Sequence, residues 1–210
     1  LVGTVEELHG LTPDPGADRE IWLMSPQDTA LVLGAAQLER IAWGGGGGEI
    51  AVGRRRSGGG AVLMAPGDSV WMDVVIGRGD PLWDDDANRA PLWLGRTWAA
   101  ALSSLGEGQG EVCQRFEPGR WGRLACFAGR GPGEVLVGGV KAVGVSQRRT
   151  RTTARFQTLL YRRWAPEQLI AGLAVPSEQA DGLRAALAGA AWTVGADAAQ
   201  IHSAFLAALP

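Results

Sequence analysis

The hydrophobic pattern changes its period once along the chain, and that change constrains the fold more than any other feature. Up to about residue 164 the apolar residues fall in short β-rich runs cut by glycine and proline. From Pro166 onward they recur at helical spacing. Strands are expected at residues 20–25, 29–33, 49–54, 69–76, 111–116, 124–127, 134–137, 140–146 and 156–162. The tetrad Val137-Gly138-Gly139-Val140 reads as a hairpin turn. One long helix is expected in the middle, running to about Leu105 with Gly106 just past its end. The acidic residues Asp84, Asp85 and Asp86 would lie at its positive end, a reading preferred over a metal site, and Pro91 would start or bend it. Helices should follow at 166–173, after Ser177 and after Asp197. Strands first and helices late predict an α+β fold, a mixed β-sheet flanked by helices. A single domain over residues 1–210 is expected, with a loose N-terminal arm over 1–18 and C-terminal helices over 166–210. The five glycines at 44–48 predict a mobile surface turn.

Composition narrows the function. A net charge of −2 gives no basic face for nucleic acid. No apolar stretch approaches the roughly 18 residues of a membrane span. The first residues show no leader pattern, and two cysteines are too few for a disulfide framework, so free thiols in a cytoplasmic setting are expected. Of the 20 basic residues, Lys141 is the one lysine. Such a bias fits a GC-rich genome that uses arginine wherever a generic positive charge suffices. The position that kept lysine is either chance or a site that needs a compact ammonium.

Three segments carry possible chemistry. In Arg54-Arg55-Arg56-Ser57-Gly58-Gly59-Gly60-Ala61-Val62, a glycine triplet opens backbone N–H groups to a ligand, and the arginines favour carboxylate or phosphate. A glycine turn between solvated arginines fits equally well. In Gly138-Gly139-Val140-Lys141-Ala142-Val143-Gly144-Val145-Ser146-Gln147-Arg148-Arg149, the lysine follows a tight turn and enters an apolar strand. In Leu124-Ala125-Cys126-Phe127, the cysteine is either a small buried hydrophobe or a nucleophile activated by nearby cations. Further arginines at 148, 149, 151, 155, 162 and 163 form either a solvated face or a dock for an acidic partner. Of the nine tryptophans, most read as core or rim residues, with Trp71 and Trp83 as candidates to line a cavity.

These motifs, in this order, resemble the lipoate–protein ligase and octanoyltransferase family of the biotinyl/lipoyl protein ligase superfamily, in a divergent, actinobacterial-like form. The pattern R-R-x-S-G-G-G-A-V is followed by G-x-K-x-V-G-x-S-Q-x-R. Val32-Leu33-Gly34-x-x-Gln37 resembles the family's strand and glutamine at the mouth of an acyl tunnel. A-C-F-x-G-x-G-P-G-E-V resembles the cysteine loop of its carrier-protein-dependent transferases. The resemblance covers about residues 29–164. It implies a narrow tunnel for an eight-carbon chain, with Gln37, Arg55, Arg56, Ser57, Gly58, Gly59, Gly60, Ala61, Gly144 and Ser146 at its acyl or phosphate end. Lys141 would hold the acyl carbonyl, and Cys126 would carry a thioester.

The resemblance implies an enzyme moving an octanoyl or lipoyl group to a lysine of a lipoyl carrier domain, either glycine cleavage H protein or the E2 of a 2-oxoacid dehydrogenase. Acyl carrier protein would be the donor, and no metal is needed. An alternative is an ATP-dependent ligase in which Lys141 and the glycine turn hold a lipoyl-adenylate, with ATP and magnesium as cofactors. A third is an acyl-binding protein without chemistry. The chain departs from the family at two places. Leu63-Met64-Ala65-Pro66 stands where relatives carry His-Asp, and Gln157-Thr158-Leu159 where transferases carry Gln-His-Gly. His9 and His202 are expected on the surface, leaving the incoming amine, Asp73 or the leaving thiolate as the base.

Overall fold

A computed structural model describes residues 1–16, 18–37 and 50–210. The glycine run at 44–48 and Glu49 lie outside the described residues. The strands, in chain order, are β1 (Val2–Gly3), β2 (Arg19–Pro26), β3 (Ala30–Leu33), β4 (Ala51–Arg54), β5 (Val62–Met64), β6 (Ser69–Gly77), β7 (Gly110–Val112), β8 (Val135–Val137), β9 (Val140–Arg149) and β10 (Thr153–Tyr161). The helices are α1 (Val5–Gly10), α2 (Leu92–Ser104), α3 (Pro166–Ala171), α4 (Ser177–Leu187) and α5 (Ala198–Ala207). Seven strands form one sheet in the order β1-β2-β6-β10-β9-β8-β7, and three form a second in the order β4-β3-β5. Both sheets mix parallel with antiparallel pairs, so the mixed sheet flanked by helices is the architecture observed.

The central strands β6 and β10 are buried along almost their whole length, which is why their sequences alternate poorly. One face of the large sheet presents Val70, Met72, Val74, Ile76, Phe156 and Leu160 to α2 and α5, where Trp98 packs on Phe205 with ring centroids 4.4 Å apart. The opposite face carries Trp71, Leu159 and Tyr161 toward α1 and the small sheet. On this second face the strand period also delivers Asp73, Arg155 and Gln157, all buried. The candidate site grows from that face.

Several expectations need correction. Residues 2–10 are not a loose arm. β1 pairs with β2, and α1 is closed by a capping box in which Thr4 accepts from the Glu7 backbone N–H while the Glu7 carboxylate accepts from Thr4. Val5, Leu8 and His9 then bury one side of that helix. The acidic triplet does not open α2. Pro91 caps the helix, and Asp84 and Asp86 instead brace the preceding turn through Arg89, with Arg89 Nε 2.9 Å from Asp84 Oδ2. The segment expected as a strand at 124–127 is a 3₁₀ turn over Cys126–Ala128. It belongs to a loop closed by reciprocal Glu117–Arg130 backbone bonds of 2.8 Å, inside which Gly122 and Gly129 pack too closely for any side chain.

Gly106, at φ +74°, ends α2 as expected, and Gly138 and Gly139, at φ +55° and +80°, form the β8–β9 hairpin turn. Val135 pairs with Val143 while Leu136 pairs with Lys141. β9 therefore holds one extra residue, a bulge that re-aims the side chains on either side of it.

Candidate active site at the junction of a groove and an apolar chamber

Two cavities meet at Cys126. The outer one is an open groove of about 250 Å³, bordered by Gly58, Gly59, Gly60, Lys141, Glu134 and Gln147. The inner one is an apolar chamber of about 40 Å³, walled by Val62, Met64, Trp71, Phe127 and Leu159, with His9 and Arg55 among its polar members. Cys126, Val145 and Ser146 line both. The tunnel expected for an eight-carbon chain is therefore present only as a constricted chamber. Met64, unbranched and polarisable, is the wall residue best suited to move.

The cysteine turn is held in place from below. Ala61 donates its N–H to the Leu124 carbonyl, and the Cys126 N–H donates to the Ala61 carbonyl at 2.9 Å. Gln37 is buried and donates to the carbonyls of Arg123 and Leu124, while its own carbonyl accepts from Gly34 N–H. Gln37 thus braces the cysteine turn from beneath and lies outside the lining of either cavity, a correction to its expected place at a tunnel mouth. Gly34 is required because a Cβ there would lie 2.1 Å from the Gly59 carbonyl oxygen. Gly60 is required because a Cβ there would lie 2.6 Å from Gly122 O and 2.8 Å from Cys126 N. These two glycines are thus packing constraints that set the cysteine against the glycine turn.

Arg55 is buried and commits its guanidinium to carbonyls: Gly58, Gly60 and Val32. It curls the glycine triplet, and as a buried cation beside the chamber it also favours negative charge on Cys126. Arg56 turns the other way and contacts Thr12, away from both cavities, which corrects its expected place at the acyl end. Gly58 and Gly59 are exposed in the groove, and their N–H groups are engaged by no other group among the described residues.

Lys141 is 3% exposed. Its Nζ lies 2.7 Å from Glu134 Oε2 and donates to the Cys126 carbonyl at 2.8 Å. Glu134, a residue that sequence reasoning missed, also accepts from the Gly131 N–H at 2.7 Å. Burial pushes its carboxyl above the usual range, while Lys141 pulls it back. The Gly-Pro-Gly-Glu turn before β8 was the available signal for it. Burial likewise pushes the Cys126 thiol up, against the opposing pull of Lys141 and Arg55.

A directed hydrogen-bond chain fixes the chamber's polar rim. Asp73 accepts from Arg155 and from Trp71 Nε1, each at 2.6 Å, and from Gln157 Nε2 at 3.3 Å. Gln157 Oε1 accepts from Ser57 at 2.7 Å, and Ser57 lies 2.9 Å from Ser146 Oγ. With its hydrogen given to Gln157, Ser57 accepts from Ser146, so Ser146 presents lone pairs to the junction. Burial pushes Asp73 up to about 6. Enclosed and triply bonded, it is excluded as a base for an incoming amine. Gly144 lines the chamber where a Cβ would lie 3.2 Å from the Phe127 ring.

His9 is not on the surface. It is 5% exposed, stacks on Trp71 with ring centroids 4.2 Å apart, and its Nδ1 lies 3.1 Å from Gln157 Nε2. Burial and the charges of Arg55 and Arg155 push it down to about 3, so the imidazole is neutral. A histidine from α1 thus reaches the chamber. His202 is half-buried near the other terminus. Trp71 walls the chamber, whereas Trp83 stacks under Arg149 with 4.4 Å to its ring centroid and lines neither cavity. The arginines expected to form one face are dispersed. Arg155 is buried on Asp73, Arg163 pairs with Asp68, and Arg162 bonds the Ala196 carbonyl.

No protein-family profile and no curated protein matches the chain. Solved structures do. The bipartite lipoate protein ligase of the archaeon Thermoplasma acidophilum, studied with its E2 lipoyl domain, superposes with a TM-score of 0.65 at 18% identity, over 92% of this chain and 70% of that one. A lipoate-protein ligase A bound with ATP gives 0.66 at 18% identity, over 92% and 72%. Plasmodium falciparum LipL1 in complex with lipoate gives 0.58 at 12% identity, over 97% and 53%. This chain therefore has the fold of the lipoate–protein ligase catalytic domain.

Proposed function

We propose that this protein moves a medium-chain acyl group, octanoyl or lipoyl, onto a lysine of a lipoyl carrier domain through a thioester on Cys126, all 210 residues serving as one catalytic domain. The observation that carries this reading is the position of Cys126 in the wall common to groove and chamber, beside Lys141 and the buried Arg55. The alkyl chain enters the apolar chamber and leaves its carbonyl at the junction. A carrier-bound acyl thioester, such as that of acyl carrier protein, fills the groove.

The Cys126 sulfur attacks the thioester carbon. A new C–S bond forms, the carrier's C–S bond breaks, and the proton lost by Cys126 leaves on the carrier's thiol. The oxyanion formed in passing is stabilised by the free N–H groups of Gly58 and Gly59 and by Lys141. An amine of the lipoyl domain, from glycine cleavage H protein or a 2-oxoacid dehydrogenase E2, then attacks the same carbon. The C–N bond forms, the Cys126 thiolate leaves, and the amine's proton returns to the sulfur. With the lysine entering as the free amine, each half-reaction passes one proton from the nucleophile to the leaving sulfur and balances overall. Glu134 is a positioning residue that holds the Lys141 ammonium in place.

A second reading rests on the open N–H groups of the glycine turn, and on the burial that pushes the Cys126 thiol up and weakens it as a nucleophile. In it, Gly58, Gly59 and Lys141 would hold the phosphates of ATP, which would supply activation of free lipoate. The structural neighbour bound with ATP makes this reading concrete. Incubation with octanoyl-loaded acyl carrier protein separates the two. A hydroxylamine-labile octanoyl group on Cys126 supports transfer, and ATP-dependent lipoylation that persists in Cys126→Ser supports ligation.

A further inference from the structure

Behind the acyl chamber lies a separate cleft of about 220 Å³, and its charge is unbalanced. His9 and Gln157 form a wall common to it and the chamber. On its far side stand Arg56, from the glycine-turn segment, and Arg148, near the end of β9. Both are exposed. The Arg148 side chain makes no hydrogen bond or ion pair among the described residues, and the bond of the Arg56 side chain is to the neutral Thr12 hydroxyl, at 3.3 Å. Thr12 accepts there, so its own hydrogen remains free to be donated into the cleft.

No carboxylate lines the cleft among the described residues. Asp73 is fully buried on Arg155, and Asp14, between the lining residues Pro13 and Pro15, accepts from the Gly16 N–H and does not itself line the cleft. Arg155 itself is occupied by Asp73 and by the carbonyls of Leu8 and Leu11. Two guanidinium groups with unused donors, facing one concavity with no carboxylate in its lining, match the recognition chemistry of an oxyanion.

We infer that this cleft is a binding site for a small oxyanion, a phosphate group or a carboxylate, held by Arg56, Arg148 and the Thr12 hydroxyl. The site is distinct from the groove at Lys141 and does not depend on acyl transfer. Its occupant lies across His9 and Gln157 from the acyl chamber.

Residue-resolved ¹H–¹⁵N NMR of the whole chain, titrated with inorganic phosphate against sodium chloride at matched ionic strength, tests it. Phosphate should move the amides of Thr12, Thr150 and Thr152 and the Nε–H signals of Arg56 and Arg148 in a saturable way that chloride does not reproduce. The double variant Arg56→Ala/Arg148→Ala, altered only at exposed side chains, should keep the native spectrum and bind at least tenfold more weakly. A parallel acetate titration names the source. Saturable shifts at the same signals support a carboxylate ligand, and their absence beside a phosphate response supports a phosphate. The proposal is overturned if chloride produces the same shifts, if phosphate moves only Gly58–Gly60 in the other groove, or if the double variant binds as tightly as the native chain.

Discussion

Lys141 Nζ and Glu134 Oε2 lie 2.7 Å apart in a site that leaves each side chain no more than 5% exposed. Two charges taken out of water together need each other, and removing one leaves the other stranded. Lys141→Met should therefore destabilise the fold by about 3–5 kcal/mol in chemical denaturation. The double variant Lys141→Met/Glu134→Gln should recover most of that loss but none of the acyl transfer. Lys141→Arg should leave transfer at least a hundredfold down with the fold intact, since a planar fork does not replace a compact ammonium. Equal stability losses in the single and double variants would show that the pair is not coupled.

The Cys126 thiol is pushed up by burial beyond its ordinary value of 9.0. Its thiolate fraction at neutral pH is correspondingly small, and reactivity follows that fraction. In a Cys113→Ala background, alkylation of Cys126 should rise by about tenfold per pH unit through neutrality and show no plateau by about pH 9. A plateau near pH 7 would mean that Lys141 and Arg55 outweigh burial.

His9 gives stability a defined pH dependence. Its folded pKa, about 3, lies below the ordinary 6.5. The contribution is thus present in full above about 6.5 and is lost as pH falls toward 3. Between pH 6.5 and 5 the native chain should lose about 2 kcal/mol of unfolding free energy. His9→Phe, which keeps a ring on Trp71, should lose far less over that window. His202 remains in both proteins, so the difference reports His9. Identical pH profiles would place His9 in water.

The glycines around the turn should respond differently to alanine. A Cβ at Gly58 would meet nothing within 4 Å, so Gly58→Ala should change stability by less than about 0.5 kcal/mol. Gly60→Ala and Gly34→Ala meet backbone oxygens at 2.6 Å and 2.1 Å, and each should lose about 2 kcal/mol or more. Gly60→Ala should also slow modification of Cys126, because the atoms it displaces belong to the cysteine turn. Thermal unfolding and a thiol-labelling rate on the same samples check both effects.

The long strands β2, β6, β9 and β10, the hairpin at Gly138–Gly139 and the end of α2 at Gly106 were legible in the sequence, because each rests on local chemistry, buried apolar runs and positive-φ glycines, whereas the short β1 and β5 were not. The sequence also singled out Cys126 and Lys141, which the fold brings together. What depends on long-range packing was not legible. The cysteine segment looked like a strand because its apolar residues hide a loop closed by Glu117 and Arg130. His9 looked terminal and solvated, although the Thr4–Glu7 capping box was there to signal a helix. Arg55 and Arg56 are neighbours in sequence yet serve different surfaces, and Gln37 braces backbone where it was expected to meet ligand. No local pattern distinguishes a guanidinium that binds carbonyls of its own chain from one that binds a substrate.

Acyl transfer through Cys126 is tested most directly by the intact mass of the protein after incubation with octanoyl-loaded acyl carrier protein in the absence of ATP. The expected result is one octanoyl group, released by hydroxylamine, mapped to Cys126 and passed to an added lipoyl domain. An unmodified Cys126, together with full lipoyl-domain modification by the Cys126→Ser variant, would contradict it.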